Sequence, residues 1–138
     1  MNRIEPYSLG LGNAGDCRDA TKALNAGIRA VMQLAIDEPL AHFPRETIVI
    51  RIPLYDGSGN SADDLRLAVT TLEHLLRTNV PTLVCCSAGM SRTPAIAAFA
   101  LARIEARTPQ DSLERLRVHV ATDVSATLWQ ELLACFGS

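Results

Sequence analysis

The chain reads as an α/β protein, with a central and mostly parallel sheet of about four to five strands flanked by helices. Three observations predict this. Short apolar runs alternate along the chain with longer runs of helical period, the order that parallel strands joined by helical crossovers require. The 138 residues are 48% hydrophobic, which suits one domain, residues 1–138, with a real core and argues against disorder. An apolar run at Thr82 to Cys85 passes through a short loop of small residues into a long apolar run from Pro94 to Ala102. That is a strand-loop-helix junction of the kind that builds sites in such sheets. Only 4% of residues are aromatic, so the core must be mostly aliphatic and alanine.

The elements follow in order. A strand is expected near Tyr7 to Leu11 and a helix near Asp19 to Ala26. Strands follow near Ala30 to Ala35 and Ile48 to Ile52. A helix then spans Ala62 to Thr78, because Leu65, Val69, Leu72, Leu75 and Leu76 recur on one side of a 3.6-residue period. Ser61 is placed to cap it, and Asp63 and Asp64 suit the positive end of its dipole. Thr82 to Cys85 is short and apolar, as a strand buried on both faces should be. Pro94 to Ala102 is too long for a typical strand and far too short for a membrane span, so it is read as a buried helix, with Pro94 in its first turn. Two more helices are expected, one starting near Pro109 behind the cap Thr108 and one near Ser125. No repeat, low-complexity tract or linker divides the chain.

Composition narrows the function. The formal charge of −2 and the absence of a basic run or an aromatic platform argue against a nucleic-acid surface. Four cysteines without framework spacing, and no signal or transmembrane segment, point to a reducing cytoplasm. His42, His74 and His119 have no ligand spacing, so neither a metal nor a cofactor is expected. Arg115 and Arg117 are read as a solvated helix face rather than a docking patch, and Cys17 and Cys135 as packing or surface residues. Oligomeric state is not legible.

The chemistry is concentrated in Cys86-Ser87-Ala88-Gly89-Met90-Ser91-Arg92-Thr93. A cysteine and an arginine bracket five small or flexible residues, a spacing that wraps the backbone into a cup for a tetrahedral dianion. The amides of residues 87 to 92 can form an anion-binding nest at a helix start. Gly89 supplies the backbone angles that a tight loop demands. In that field Cys86 is expected to ionise readily as a nucleophile. Arg92 can hold two phosphoryl oxygens with one planar fork, and Thr93 can donate its hydroxyl to the sulfur. Ser87, Ala88, Gly89, Met90, Ser91 and Arg92 are therefore the expected substrate-binding residues. Cys86, Arg92 and Thr93 are the expected catalytic ones.

This loop resembles that of the cysteine-dependent protein phosphatases, and within them the compact dual-specificity group. Weaker likenesses run in the same order along most of the chain: Leu9-Gly10-Leu11-Gly12-Asn13 with Ala14-Gly15-Asp16 is similar to the family's opening strand and turn, and Leu24 to Leu34 to its first helix and second strand. Ile52-Pro53-Leu54-Tyr55-Asp56 is similar to the segment that carries its general acid. The resemblance implies a phosphatase fold and hydrolysis of phosphotyrosine, phosphoserine or phosphothreonine through a phosphocysteine intermediate. Asp56, thirty residues ahead of the nucleophile, would be the acid that protonates the leaving group and then serves as base toward water. Asp63 and Asp64 are its rivals, with the capped helix start as their plainer role.

The chain departs from the family pattern twice. Cys85 stands where the family usually has a histidine, and is read as strand packing in preference to a redox partner. Asp123-Val124-Ser125 replaces the family's usual Pro-Asn pair, leaving Ser125 to supply any support to the loop. The uncharged loop side chains disfavour phosphoinositides, and the short chain suggests a shallow cleft with Met90 on its rim. A small phosphomonoester stays open as substrate. A weakly active phosphoresidue-binding module and a rhodanese-like sulfurtransferase stay open as alternative functions.

Overall fold

The computed structural model describes residues 1–137. Its strands are β1 (Asn2–Arg3), β2 (Leu9–Gly12), β3 (Ala30–Ala35), β4 (Ile48–Leu54) and β5 (Thr82–Cys85). Its helices are α1 (Ala14–Arg18), α2 (Ala20–Asn25), α3 (Ala62–Arg77), α4 (Arg92–Glu105), α5 (Pro109–Leu116) and α6 (Ala126–Phe136). One five-stranded sheet runs β1-β2-β5-β3-β4. Its last four strands are parallel, and β1 pairs antiparallel with β2. The expected α/β class and the expected parallel strands are all present.

Residue alternation along the strands divides the interior into two clusters. Val31, Leu83 and Cys85 pack with Cys17, Ala23 and Ile28 under α1 and α2. Ala30, Met32, Leu34 and Val84 join the larger cluster, which α3, α4, α5 and α6 complete. At the centre of that larger layer is α4, whose residues Arg92 to Ala102 are all buried. Five of them are alanines, which let the sheet, α3 and α5 approach closely. Three of the six aromatics gather beside it: the Phe99 and Trp129 rings meet edge-on with centroids 4.9 Å apart, and the Phe136 ring centroid lies 5.9 Å from that of Phe99.

Three element boundaries differ from the expectation. Tyr7 and Ser8 lie in a turn, since the Tyr7 N–H donates to Ile4 O (3.0 Å), so β2 begins only at Leu9. Ala14-Gly15-Asp16, expected as a turn, opens a five-residue helix, Ala14–Arg18, held by a capping box between Asn13 and Asp16. β4 continues past Ile52 to Leu54, through Pro53. Because β4 is an edge strand, Pro53 need not donate to a ladder.

Candidate active site

The topology brings three strand ends together. β5, β3 and β4 are neighbours and parallel, so Cys86, Asp37 and Asp56 emerge side by side at their carboxyl ends. A cavity of about 270 Å³ opens there, lined by Asp37, Asp56, Cys86, Ser87, Ala88, Met90, Ser91, Arg92 and Asp123. Seven of these were expected from sequence; Asp37 and Asp123 were not assigned to the site. Asp63 and Asp64 stay in the first turn of α3, where Ser61 Oγ accepts from the Asp64 N–H, and neither lines the cavity.

The loop is held from below by its carbonyls. The Ala14 N–H donates to Ser87 O (2.9 Å) and the Asp123 N–H to Met90 O (2.7 Å). Among the described residues, no amide of residues 87–91 donates to a protein acceptor. The start of α4 behind them likewise has no side-chain cap, whereas α3, α5 and α6 are capped by Ser61, Thr108 and Ser125. Uncommitted amides at a helix start are what a bound oxyanion requires. Gly89 does not line the cavity. It turns the loop at φ +78, and a Cβ there would lie 2.8 Å from Gly12 O. The loop therefore rests directly on the turn after β2.

Arg92 is 3% exposed, and its fork is divided between protein and cavity. Nη1 donates to Asp37 Oδ1 (2.6 Å) and to Leu54 O (2.9 Å), which occupies both of its protons. Nη2 donates to Ser87 Oγ (3.1 Å), and the buried Nε has no partner among the described residues. One end of the guanidinium is anchored, while Nε and one Nη2 proton remain for a ligand. Burial works against the Arg92 charge, and Asp37 more than offsets it, so its pKa is raised. The same pairing, with burial opposing it, lowers Asp37 to about 2, so its carboxylate is ionised throughout the neutral range. Ser87 Oγ also lies 2.9 Å from Asp37 Oδ2 and 3.0 Å from Glu38 Oε2, its single proton serving one of them.

Asp56 is positioned by Ser91. The Ser91 hydroxyl donates to Asp56 Oδ1 (2.5 Å) and accepts from the Ser125 N–H (2.9 Å). The support expected near Ser125 thus comes from its backbone. The loop after Asp56 is closed: Asn60 Oδ1 accepts from the Tyr55 N–H (2.8 Å), and Glu131 on α6 accepts from the Gly59 N–H (3.1 Å). Thr93 is wholly buried, and its hydroxyl has no hydrogen-bond partner among the described residues.

Cys85 faces away from Cys86, in the smaller cluster with Cys17. Its sulfhydryl lies 3.9 Å from Met32 O. The neighbouring Cys17 sulfur, reinforced by burial, pushes its pKa well above the ordinary thiol value. That is the packing role expected for it. Among the described residues, no cluster of three or more His, Cys, Asp and Glu is placed to hold a metal ion, and no helix is long and apolar enough to cross a membrane.

Two of the comparisons with known proteins agree with this geometry. A family model described as polymorphic toxin system, DSP-PTPase phosphatase matches residues 11–106, more than half of the chain. No curated protein matches the chain. Among solved structures, human DUSP28 superposes with a TM-score of 0.84 at 20% identity, covering 98% of this chain and 94% of its own. A mouse protein described as a putative dual specificity phosphatase, complexed with zinc tungstate, also gives 0.84 at 20% identity, covering 97% of this chain and 84% of its own. The human tyrosine phosphatase-like serine/threonine/tyrosine-interacting protein gives 0.82 at 16% identity, covering 97% and 93%. At these identities the superpositions speak for the fold.

Proposed function

Since the chain belongs to the DSP-PTPase phosphatase family, whose members are cysteine-dependent phosphatases, we propose that it hydrolyses phosphotyrosine, phosphoserine and phosphothreonine in proteins through a phosphocysteine at Cys86. The observation that carries this reading is the divided fork of Arg92. Arg92 lines one cavity with Cys86 and Asp56, one end of its guanidinium is anchored on Asp37, and its buried Nε has no partner among the described residues.

In the proposed first step, the loop amides and the free edge of Arg92 hold the phosphoryl oxygens. The Cys86 thiolate attacks phosphorus in line with the ester oxygen. The S–P bond forms as the P–O bond breaks, and the departing oxygen takes a proton from Asp56. In the second step Asp56 accepts a proton from water, whose oxygen attacks phosphorus. The S–P bond then breaks, with its electron pair returning to sulfur. The unpartnered Thr93 hydroxyl is the donor proposed to stabilise that departing sulfur. The cavity is open at the Met90 rim, where Met90 is 38% exposed, and this supports access for both aryl and alkyl phosphate esters.

Purified protein is expected to hydrolyse an aryl phosphate with chelator present. Cys86→Ser should abolish turnover while retaining measurable affinity for a tetrahedral oxyanion. Undiminished turnover in Cys86→Ser would remove the nucleophile assignment. Loss of turnover in wild type, with oxyanion binding kept, would favour the second reading, a phosphoresidue-binding module. That reading draws on Cys85 standing in place of the usual histidine.

A further inference from the structure

The catalytic cavity is acidic at its mouth. Asp37, Asp56 and Asp123 line it, against one cation, Arg92. Arg92 is committed to Asp37 on one side and, under the phosphatase reading, to the phosphoryl group on the other. Its buried, unpartnered Nε marks where that group lies. Asp56 delivers its proton to the leaving group. Glu38, beside Asp37, is already paired with Arg18 at 3.2 Å. Arg51 donates to the Ala35, Ile36 and Glu38 carbonyls.

Asp123 differs from these. It is exposed, and its carboxylate has no ion pair among the described residues. Its N–H donates to Met90 O at 2.7 Å, which fixes it at the rim beside the exposed Met90 side chain. Arg117, earlier in the same connection, is held by Glu114 and by Thr122 Oγ1. Whatever flanks a phosphorylated residue in the cavity therefore meets a negative charge without a counter-ion. Like charges placed there are repelled, and a cation gains a partner.

We propose that Asp123 is a specificity-determining residue and that the protein substrates of this phosphatase carry Arg or Lys beside the phosphorylated residue. The inference rests on the phosphatase reading and adds the charge of the substrate to it. It requires no contact between Asp123 and the reacting atoms.

The test compares two phosphotyrosine peptides of equal length, one flanked by arginines and one by glutamates, on wild type, Asp123→Asn and Asp123→Lys. Taking the ratio of kcat/KM on one protein cancels any general loss of activity. In wild type at low ionic strength the basic peptide is expected to be preferred about threefold or more, the scale of an exposed ion pair. The ratio should shrink toward one in about 1 M salt, where the screening length is about 3 Å. It should also fall toward one in Asp123→Asn and drop below it in Asp123→Lys. A wild-type preference for the acidic peptide, equal rates, or an unchanged ratio in Asp123→Lys would overturn the proposal. If wild type hydrolyses no aryl phosphate, the phosphatase reading fails separately. The affinities of the two peptides for Cys86→Ser then test Asp123 alone, with the same ratios expected.

Discussion

Ser91 does for the acid what Asp37 does for the guanidinium. Each uses one short hydrogen bond to fix the direction of a group that, in the proposed mechanism, must meet the substrate: Ser91 holds Asp56 at 2.5 Å for the leaving oxygen, and Asp37 holds Arg92 at 2.6 Å for the phosphoryl oxygens. A carboxyl that has to reach a leaving oxygen loses rate when it is free to rotate. Asp56→Ala should therefore slow hydrolysis most for alkyl phosphates, whose leaving groups need the proton, and least for activated aryl phosphates. Ser91→Ala should show the same pattern at smaller size, with a loss of about tenfold on alkyl esters. Steady-state rates across a series of leaving groups check both, and a uniform loss in Ser91→Ala would place Ser91 outside the orientation of the acid. Cys86 and Arg92 were legible because their spacing is local. Asp37 was not, because its partner is 55 residues away and the pairing depends on β3 lying between β5 and β4. A usable signal was present: like Asp56 after β4, Asp37 is an acid two residues beyond a parallel strand.

Among elements, the loop of residues 86–92 and the β2–α1 turn form one unit. Gly89 sits at φ +78 with Gly12 O close enough to exclude a side chain, and Gly12 in turn abuts the Asp16 carboxylate. Gly89→Ala combines a left-handed backbone penalty with a backbone clash that only movement of the loop relieves. The expected cost is about 1–3 kcal/mol of stability. Thermal denaturation would read that cost, and the loss of aryl phosphatase activity at a temperature where the variant remains folded should exceed it in proportion. A variant with wild-type Tm and rate would show that the loop does not lean on that turn. The strands β3 and β5 were legible because both of their faces are buried and their residues are mostly apolar, with Gln33 and Thr82 as the exceptions. β1, only two residues long, carries no periodicity to detect. The short α1 was hidden by Gly15 and by its length, and is stabilised instead by side chains at its cap. β4 was cut short at Pro53 because a proline forbids a central strand but not an edge one.

At the scale of the molecule, strand order is what turns a linear motif into a site. Sequence order alone leaves Asp37, Asp56 and Cys86 far apart, whereas the β5-β3-β4 neighbourhood sets them at one sheet end. The alanine-lined α4 then brings the sheet and the outer helices close enough for Phe99, Trp129 and Phe136 to pack beside it. Fold class was legible from the alternation of elements, but the order of strands was not, since nothing local records which strand inserts beside which. The most direct measurement of the account is acid quenching of the whole protein during turnover of a phosphoryl-labelled aryl ester, followed by peptide mapping. A phosphocysteine at Cys86 predicts label on the peptide containing Cys86 and none at that position in Cys86→Ser. Turnover with no labelled intermediate at Cys86, or label carried by another residue in the wild type, would contradict it.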